Sequence, residues 1–533
     1  IFENQVKTGL ESFNIAAAVN EAALKWGDRV VLYHHDTGDT VTYREADRMS
    51  DRVGNALRAS GVEIENRIAI LMDDCPEWAY TLLGALKIGA VPTPLNTLLT
   101  ENDYAFFLAD SRAKVLFVSD SLFEKIKGII NGLPYLKHIV VHNRDNLTDE
   151  AGRVITWESF IKGASEGLEI APTVPDDLGL FAYTSGTTGR PRAIMLSHRN
   201  IFTGVSEFKE VKGVEEGCVQ FHIPKLYFLI GSAGLISAFY HGSSMVLLSG
   251  RPTPETVFKI FEKYHPNFLV APPTMLARLM AAAKESPEIA DLSSITYINC
   301  TGETLSPVLF QRFYETFGKS IYNCWGAQEL SSAPLSWKVG EEIPADKVGS
   351  VGNRSRAGAV VKIVDEYGKE VPDGDSGEIL FKTDGMFLGY WHQPKETAKK
   401  IDQGWYRPGD SFMRDKDGYY WYLGRFDDMV KVGGRQVFPP EIEHALARHP
   451  AVLENAVAPV QNDLGLFQIH AYVVLKDGYG PSPGLESEIQ AFVKDHLAPF
   501  KRPHKVEFIK DLPKTATGKI QRSRLKEQAM EKR

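Results

Sequence analysis

The chain has 533 residues, a net charge of −8 at neutral pH, and 24% charged against 43% hydrophobic residues. That length exceeds one ordinary core and, at roughly 100–200 residues per domain, predicts three or four compact units of a soluble globular protein. The acidic balance argues against general nucleic-acid binding, and no uncharged apolar run reaches the ~20 residues of a membrane span.

The chain begins at Ile1, and its first thirty residues carry no basic-then-apolar secretory pattern. Cys75, Cys218, Cys300 and Cys324 show neither metal-ligand spacing nor a disulfide framework, so a reducing, cytoplasmic setting is expected. Thr42-Tyr43-Arg44-Glu45 fits a capping box that opens a helix to about Ser60. Residues 67–72 read as a buried strand, Pro76–Ile88 as a helix, and Ala90-Val91 as the start of another strand. That is a βαβ unit and implies a parallel sheet.

The alternation returns between 177 and 324. Short apolar strands end near Tyr183, Leu248, Val270, Cys300 and Asn323, with helices at Pro254–Tyr264 and Thr274–Ala283. Two α/β lobes fit residues 1–330 better than one sheet does. From about 345 to 425, Gly, Asp and short β-rich runs such as Gly377-Glu378-Ile379-Leu380-Phe381 predict a small β subdomain. Residues 428–533 return to mixed α and β, with a helix opening at Pro439-Pro440, where proline suits the first turn. An excess of basic residues near the end reads either as a solvated face or as a surface that meets polyphosphate.

The densest chemical signal is Tyr183-Thr184-Ser185-Gly186-Thr187-Thr188-Gly189-Arg190-Pro191-Arg192. Glycines let backbone N–H groups approach an anion, and hydroxyls and guanidinium groups add donors, which is what a triphosphate cradle requires. No Gly-Lys-Ser/Thr closes the loop, so it is not a Walker A motif. On composition alone a solvated Gly/Thr turn is an equal alternative.

On these residues the chain resembles the adenylate-forming superfamily of acyl-CoA synthetases, luciferases and peptide-synthetase adenylation domains. The resemblance implies that Thr184, Ser185, Gly186, Thr187, Thr188 and Gly189 hold phosphate. Arg192 stands where lysine is usual, keeping the charge but changing its shape, and Ala193 stands where glycine is usual. Thr301-Gly302-Glu303 resembles the family's adenine wall. Asn323-Cys324-Trp325-Gly326-Ala327-Gln328-Glu329 resembles the segment in which Asn323 meets the adenine edge, Trp325 borders the ring, and Glu329 holds Mg²⁺. Gln328 replaces a threonine whose hydroxyl faces phosphate. Asp410, in Gly404-Trp-Tyr-Arg-Pro-Gly-Asp410, is implied to grip the ribose hydroxyls, with Arg425 beside it. Asp427 is implied as the interdomain hinge, Gly433 and Gly434 as lining the pantetheine tunnel, and Lys519, in Pro513-Lys-Thr-Ala-Thr-Gly-Lys519, as the catalytic lysine. Arg192 and Glu329 complete the implied catalytic set. Each residue alone is more often core, a turn or a surface charge; the motifs gain meaning from their shared family order.

The resemblance implies an α/β fold. A large amino-terminal domain, residues 1–426, would hold two α/β lobes and a small β subdomain. Residues 427–533 would form a small mobile α+β domain. It also implies a reaction with ATP, Mg²⁺ and coenzyme A as co-substrate. A carboxylate is a poor electrophile, and joining it to AMP makes a mixed anhydride that a thiol can attack. Bringing a carboxylate against a tetra-anionic nucleotide calls for positioning and charge neutralisation. Lys519 would bridge carboxylate and α-phosphate, then leave as the small domain rotates.

Lys225-Leu-Tyr-Phe-Leu-Ile-Gly231, Arg251-Pro-Thr-Pro254 and Ala271-Pro-Pro-Thr274 resemble the benzoate–CoA ligase branch. A compact apolar pocket of Phe228, Leu229, Ile230, Cys324, Gly326 and Ser331 is then expected, suited to benzoate or an alicyclic acid. Ordinary core is the alternative for these residues. The expected partners are a small carboxylic acid, ATP and CoA, with no nucleic acid and no membrane span; a homo-oligomer is compatible with the sequence. Because no carrier-protein segment follows Arg533, a CoA ligase is favoured over an enzyme that loads a separate carrier protein. A medium-chain fatty acid–CoA ligase and a catalytically dead nucleotide-binding scaffold stay open.

Overall fold

The computed structural model describes residues 12–144, 152–184, 191–302, 305–355, 358–426, 430–432, 435–461, 467–514, 520–522 and 524–525. The strand Arg67–Leu71 carries four consecutive apolar residues, 68–71, buried on both faces, the pattern of an interior parallel strand. It pairs in parallel with Val91–Pro94 and Val115–Ser119, and His138–His142 and Val154–Thr156 complete a five-stranded sheet. The helix Pro76–Lys87 opens with proline in its first turn and supplies the expected crossover. Thr42 caps Tyr43–Ala59 by accepting from Glu45 N at 3.1 Å.

A second sheet has nine strands. Its centre is parallel, running Ile321–Ala327, Tyr297–Cys300, Phe268–Ala271, Val219–His222, Ser244–Leu247 and Val30–His34. The amino-terminal strand Val30–His34 therefore belongs to the second lobe, and the two lobes are interleaved in sequence. Ile321–Ala327 also runs four residues past Asn323, where the sequence suggested its end, because its last residues pair antiparallel with Ser332–Ser336.

The strand ending near Tyr183 is not part of either parallel sheet. Leu178–Thr184 forms an antiparallel ribbon with Arg192–Ser197, and Gly389–Tyr390 adds a third strand. Thr184 pairs with Arg192 in this register. The β subdomain is as expected: six strands between Val360 and Arg425 form one sheet. The carboxy-terminal part has its own sheet of Val452–Gln461, Phe467–Leu475 and Lys505–Phe508, with helices Pro439–Leu446 and Pro483–His496. Ile442, Leu446, Val457, Ile469, Ile489 and Val493 give it a separate buried core, as an independent domain requires. No helix among the described residues is long and apolar enough to cross a membrane.

Candidate active site

Two side chains from different parts of the sequence, Trp325 and Arg425, meet on one carboxylate. Asp410 begins the strand Asp410–Arg414, which pairs with Tyr420–Arg425 so that Asp410 lies opposite Arg425. The Asp410 carboxylate is 5% exposed. It accepts from Trp325 Nε1 at 3.0 Å on one oxygen and from Arg425 Nη1 at 2.8 Å on the other. Burial raises its pKa, and the Arg425 charge and both donors pull the other way. Trp325 itself lies flat on Phe381, with ring centroids 4.8 Å apart at 8°, and edge-on to Phe412. One indole face is covered by protein and its edge is fixed by Asp410.

A second node forms around Tyr390. Its hydroxyl donates to Glu329 Oε1 at 2.7 Å, and the Arg192 guanidinium lies 5.4 Å over its ring. Arg192 Nη2 pairs with Glu396 Oε2 at 2.9 Å. Burial and the Glu329 charge together raise the Tyr390 phenol well above its ordinary range, so the hydroxyl stays a donor. The antiparallel register explains the meeting: Tyr390 pairs with Ile194 on the strand that carries Arg192. Glu329 sits in the short turn Gln328–Leu330 that follows Ile321–Ala327, and Gln328 beside it is half-buried.

Thr301, half-buried, and Gly302, exposed at φ +92°, follow the end of Tyr297–Cys300. Asn323 donates to the Ser350 carbonyl at 3.2 Å and the Gly349 carbonyl at 3.4 Å, so its amide hydrogens fasten the strand end to a neighbouring loop. Gly326 is exposed, and a Cβ there would stand 2.4 Å from the Ser332 carbonyl oxygen. No other residue fits that approach.

The residues expected to line an acid pocket lie at the start of a helix, on the strand Ile321–Ala327 and just after the turn that follows it. Phe228 is the residue before the helix Leu229–His241; Leu229 is buried and Ile230 half-buried. The segment leading to it is anchored from the first lobe. Leu226 N donates to Asp74 Oδ1 at 3.1 Å, and Lys225 Nζ donates to the Leu248, Ser249 and Gly250 carbonyls. Burial pushes the Asp74 carboxyl up to about 6, against the opposing pull of Lys225. Cys324 is buried with its thiol on the Cys300 carbonyl at 3.3 Å. Ser331 is buried at φ +55°, its carbonyl pressed against Gly204.

The interior near Cys324 is more polar than the apolar wall expected from the sequence. Glu207 and Lys212 form a buried ion pair at 3.3 Å, each side chain 1% exposed. Glu207 Oε2 also accepts from Ala333 N at 3.0 Å. His222 lies parallel to the Phe208 ring, and burial lowers its pKa to about 3, so it is neutral. Asn299 on Tyr297–Cys300 is 1% exposed.

The structure thus brings together Asp410, Trp325 and Arg425 at one node and Arg192 and Glu329 at the other. Ser185, Gly186, Thr187, Thr188, Gly189, Glu303, Asp427, Gly433, Gly434 and Lys519 lie outside the described residues. Sequence reasoning missed Tyr390, Glu396, Asp74 and Asn299. Only Asn299 carried a local signal, a lone amide in the otherwise apolar strand Tyr297–Cys300. A cluster elsewhere, Cys75, Glu77 and His142, has ligand atoms within 4.8 Å of one another. A His142 Nε2 to Glu77 Oε2 contact of 3.3 Å holds it together.

Two family models match the chain: AMP-binding enzyme over residues 19–391, and AMP-binding enzyme C-terminal domain over residues 441–519. A benzoate–CoA ligase of Thauera aromatica is 36% identical over 93% of this chain and 92% of its own length. A 3-hydroxybenzoate–CoA/4-hydroxybenzoate–CoA ligase of the same organism is 33% identical, covering 92% of each chain. The solved structure of the anthranilate CoA ligase AuaEII in complex with anthranoyl-AMP superposes with a TM-score of 0.88 at 32% identity, covering 98% of each chain.

Proposed function

The chain belongs to the AMP-binding enzyme family, and from that premise we propose that it is an ATP-dependent ligase that joins a small aromatic carboxylic acid to coenzyme A. The observation that carries the reading is the pairing of the two nodes. One is a buried carboxylate held by Trp325 and Arg425. The other is Glu329 held by Tyr390 beside Arg192. Relatives named for benzoate, hydroxybenzoate and anthranilate match along nearly the whole chain, which supports an aromatic acid.

In the first half-reaction a carboxylate oxygen attacks the α-phosphorus of ATP, the bond from that phosphorus to the bridging oxygen breaks, and pyrophosphate leaves. Asp410 accepts from the vicinal ribose hydroxyls, and Arg425 keeps it ionised for that purpose. The open face of Trp325 carries the purine, since Phe381 covers the other. Arg192 offsets phosphate charge, and its fixed place on Glu396 and Tyr390 means that little reorganisation accompanies the transfer. Glu329 suits Mg²⁺, which binds through one or two carboxylates plus substrate phosphates. Tyr390 takes Oε1, and Oε2 makes no hydrogen bond among the described residues. When bound, the ion supplies charge neutralisation at the β- and γ-phosphates.

In the second half-reaction the CoA sulfur attacks the acyl carbon, AMP leaves, and the thiol proton is released. The roles of Lys519 in the first step, of Asp427 as the pivot and of Gly433 and Gly434 along the thiol path rest on the resemblance of their motifs. The domain boundary at 426/427 is inferred on the same ground. Four free cysteines, three of them buried, fit a reducing, cytoplasmic setting.

The test is a panel of acids assayed for pyrophosphate exchange without CoA and for AMP and thioester formation with it. Exchange with an aromatic acid, and thioester only when CoA is added, is the expected result. Exchange without thioester would point to a carrier-loading enzyme, and no exchange with any acid would point to a scaffold. A preference for straight-chain acids would replace the aromatic reading with a fatty acid ligase.

A further inference from the structure

Away from both nodes, in the first lobe, the start of a helix meets the end of a strand and brings together Cys75, Glu77 and His142. Cys75 is the residue before the helix Pro76–Lys87, and Glu77 lies in its first turn. Helical side chains lean towards the amino-terminus, which returns Glu77 to the side of Cys75. His142 is the last residue of the strand His138–His142 and pairs with Ser119 in the parallel sheet. The Trp157 ring stands edge-on to the His142 ring, centroids 6.1 Å apart at 81°. Cys75 and His142 are 5% and 7% exposed, and half-buried Glu77 is the member that solvent reaches most. All three are thus set by regular structure, which holds a site more precisely than a loop does.

Structural roles account poorly for this trio. The position before a helix favours Ser, Thr, Asp or Asn, whose side-chain oxygen accepts from a free N–H of the first turn. Cys75 makes no such bond. The ion partner of Glu77 among the described residues is His142, with neither lysine nor arginine beside it, and Oε2 stands 3.3 Å from Nε2. That is long for a charge-assisted hydrogen bond, which runs about 2.7–2.9 Å. It is the spacing of two ligands on one ion. Bonds of about 2.0–2.1 Å at the tetrahedral angle put nitrogen and oxygen about 3.3–3.4 Å apart, and a sulfur bonded at about 2.3 Å stands about 3.6 Å from each. The ligand atoms of all three residues already lie within 4.8 Å of one another. The helix start also favours the anionic forms of the thiol and the carboxyl.

We propose that Cys75, Glu77 and His142 bind a thiophilic divalent cation, Zn²⁺, with water as the fourth ligand. The Cys75 thiol loses its proton to solvent, Glu77 binds as carboxylate, and His142 offers a neutral ring nitrogen; no oxidation state changes. Two anionic ligands balance the charge of the ion. The mixed sulfur, nitrogen and oxygen set suits zinc, whereas Mg²⁺ takes oxygen ligands in octahedral geometry. The site is therefore separate from the one at Glu329 and does not depend on the ligase reading. Its ion ties the helix Pro76–Lys87 to the strand His138–His142. Asp74, one residue before Cys75, accepts from Leu226 N at 3.1 Å, so an occupied site also steadies the contact between the lobes.

The test uses the full chain, stripped of metal by a chelator and free of nucleotide, titrated with Zn²⁺ against a chromophoric chelator. One Zn²⁺ per chain, retained in excess Mg²⁺, is the expected result. X-ray absorption at the zinc edge should show one sulfur neighbour, the rest being nitrogen or oxygen. Glu77→Gln should weaken binding about tenfold or more, and Cys75→Ser should remove the sulfur neighbour. The denaturation midpoint should rise with Zn²⁺ in the wild type and stay put in Cys75→Ser. Stoichiometry and sulfur count are read on the wild type, so a misfolded variant does not shield the proposal. Absence of Zn²⁺ binding, displacement by Mg²⁺, or a bound ion without sulfur overturns it. Undiminished binding in folded Cys75→Ser and Glu77→Gln places the ion elsewhere and overturns it as well. Each of these results leaves the ligase reading standing.

Discussion

The two ends of the site are built on opposite principles. At the nucleotide end the charges that matter are matched before any ligand arrives: Asp410 with Arg425 and Trp325, Glu329 with Tyr390, Arg192 with Glu396. At the expected acid end there is the buried ion pair of Glu207 and Lys212, and side-chain atoms of Asn299 and Ser331 have no hydrogen-bond partner among the described residues. The nucleotide is the same in every turnover, so its contacts gain from being fixed in advance. The other end spends its buried charge on the protein itself, Glu207 holding Lys212 and the Ala333 N–H.

The largest effect should come from breaking the acid-end ion pair. Lys212→Ala strands the Glu207 carboxylate in the core and is expected to destabilise the fold by about 3–5 kcal/mol, read as a lowered denaturation midpoint. Lys212→Met together with Glu207→Gln should recover most of that loss. If the single variant is as stable as wild type, the pair is not buried in solution.

At the nucleotide end, Asp410→Ala is expected to raise KM for ATP by the equivalent of about 1.5–3 kcal/mol, the range for hydrogen bonds to a charged group. KM for the acid should stay put. A shift in both would mean that the two ends are not independent, and the comparison above would break.

The link between lobes can be probed by pH. Asp74 is held up to about 6 against 3.8 for an ordinary aspartate, so the folded chain binds more protons than the unfolded one across that window. Its contribution to stability is present below about pH 4 and is lost as pH rises towards 6, by on the order of 1–3 kcal/mol. Denaturation midpoints at pH 4.5 and 6.5 should differ less in Asp74→Asn than in wild type. An identical pH slope in both would show that Asp74 is not the group responsible.

The smallest effect is expected at Tyr390. Tyr390→Phe keeps the ring under Arg192 and removes only the donor to Glu329, so kcat/KM should fall about fivefold with little change in stability, in line with roughly 1 kcal/mol for one hydrogen bond. A variant whose half-saturating Mg²⁺ concentration and kcat/KM both match wild type would remove Tyr390 from the site.

How much of this could be read from sequence differs by type of residue. Asp410, Trp325, Arg425 and Glu329 could be named before any geometry only because their segments resemble the family's motifs. Tyr390 and Glu396 were not, because they join the site through the pairing of Gly389–Tyr390 with Arg192–Ser197, about two hundred positions away. Asn299 sits in a strand that reads as core, and its lack of a partner among the described residues is a property of the fold alone. The β subdomain and the helices at Pro76, Pro254 and Pro439 followed from local rules, proline in the first turn above all. Strand order did not: parallel interior strands are all apolar runs, and nothing in such a run names its neighbour.

That interleaving also has a bearing on how the protein is made. Val30–His34 pairs with Ser244–Leu247, and a hydrogen bond between Ser244 and Val30 spans 214 positions. At about 5–20 residues per second of synthesis, the first strand waits roughly 10–40 seconds on the ribosome for its partner. Through that interval the first lobe's sheet can close on its own, since its strands lie within residues 67–156. Val31 and Leu32, fully buried at the end, stay exposed until the second lobe emerges. The amino-terminal segment is therefore where nascent chains should first aggregate or engage a chaperone.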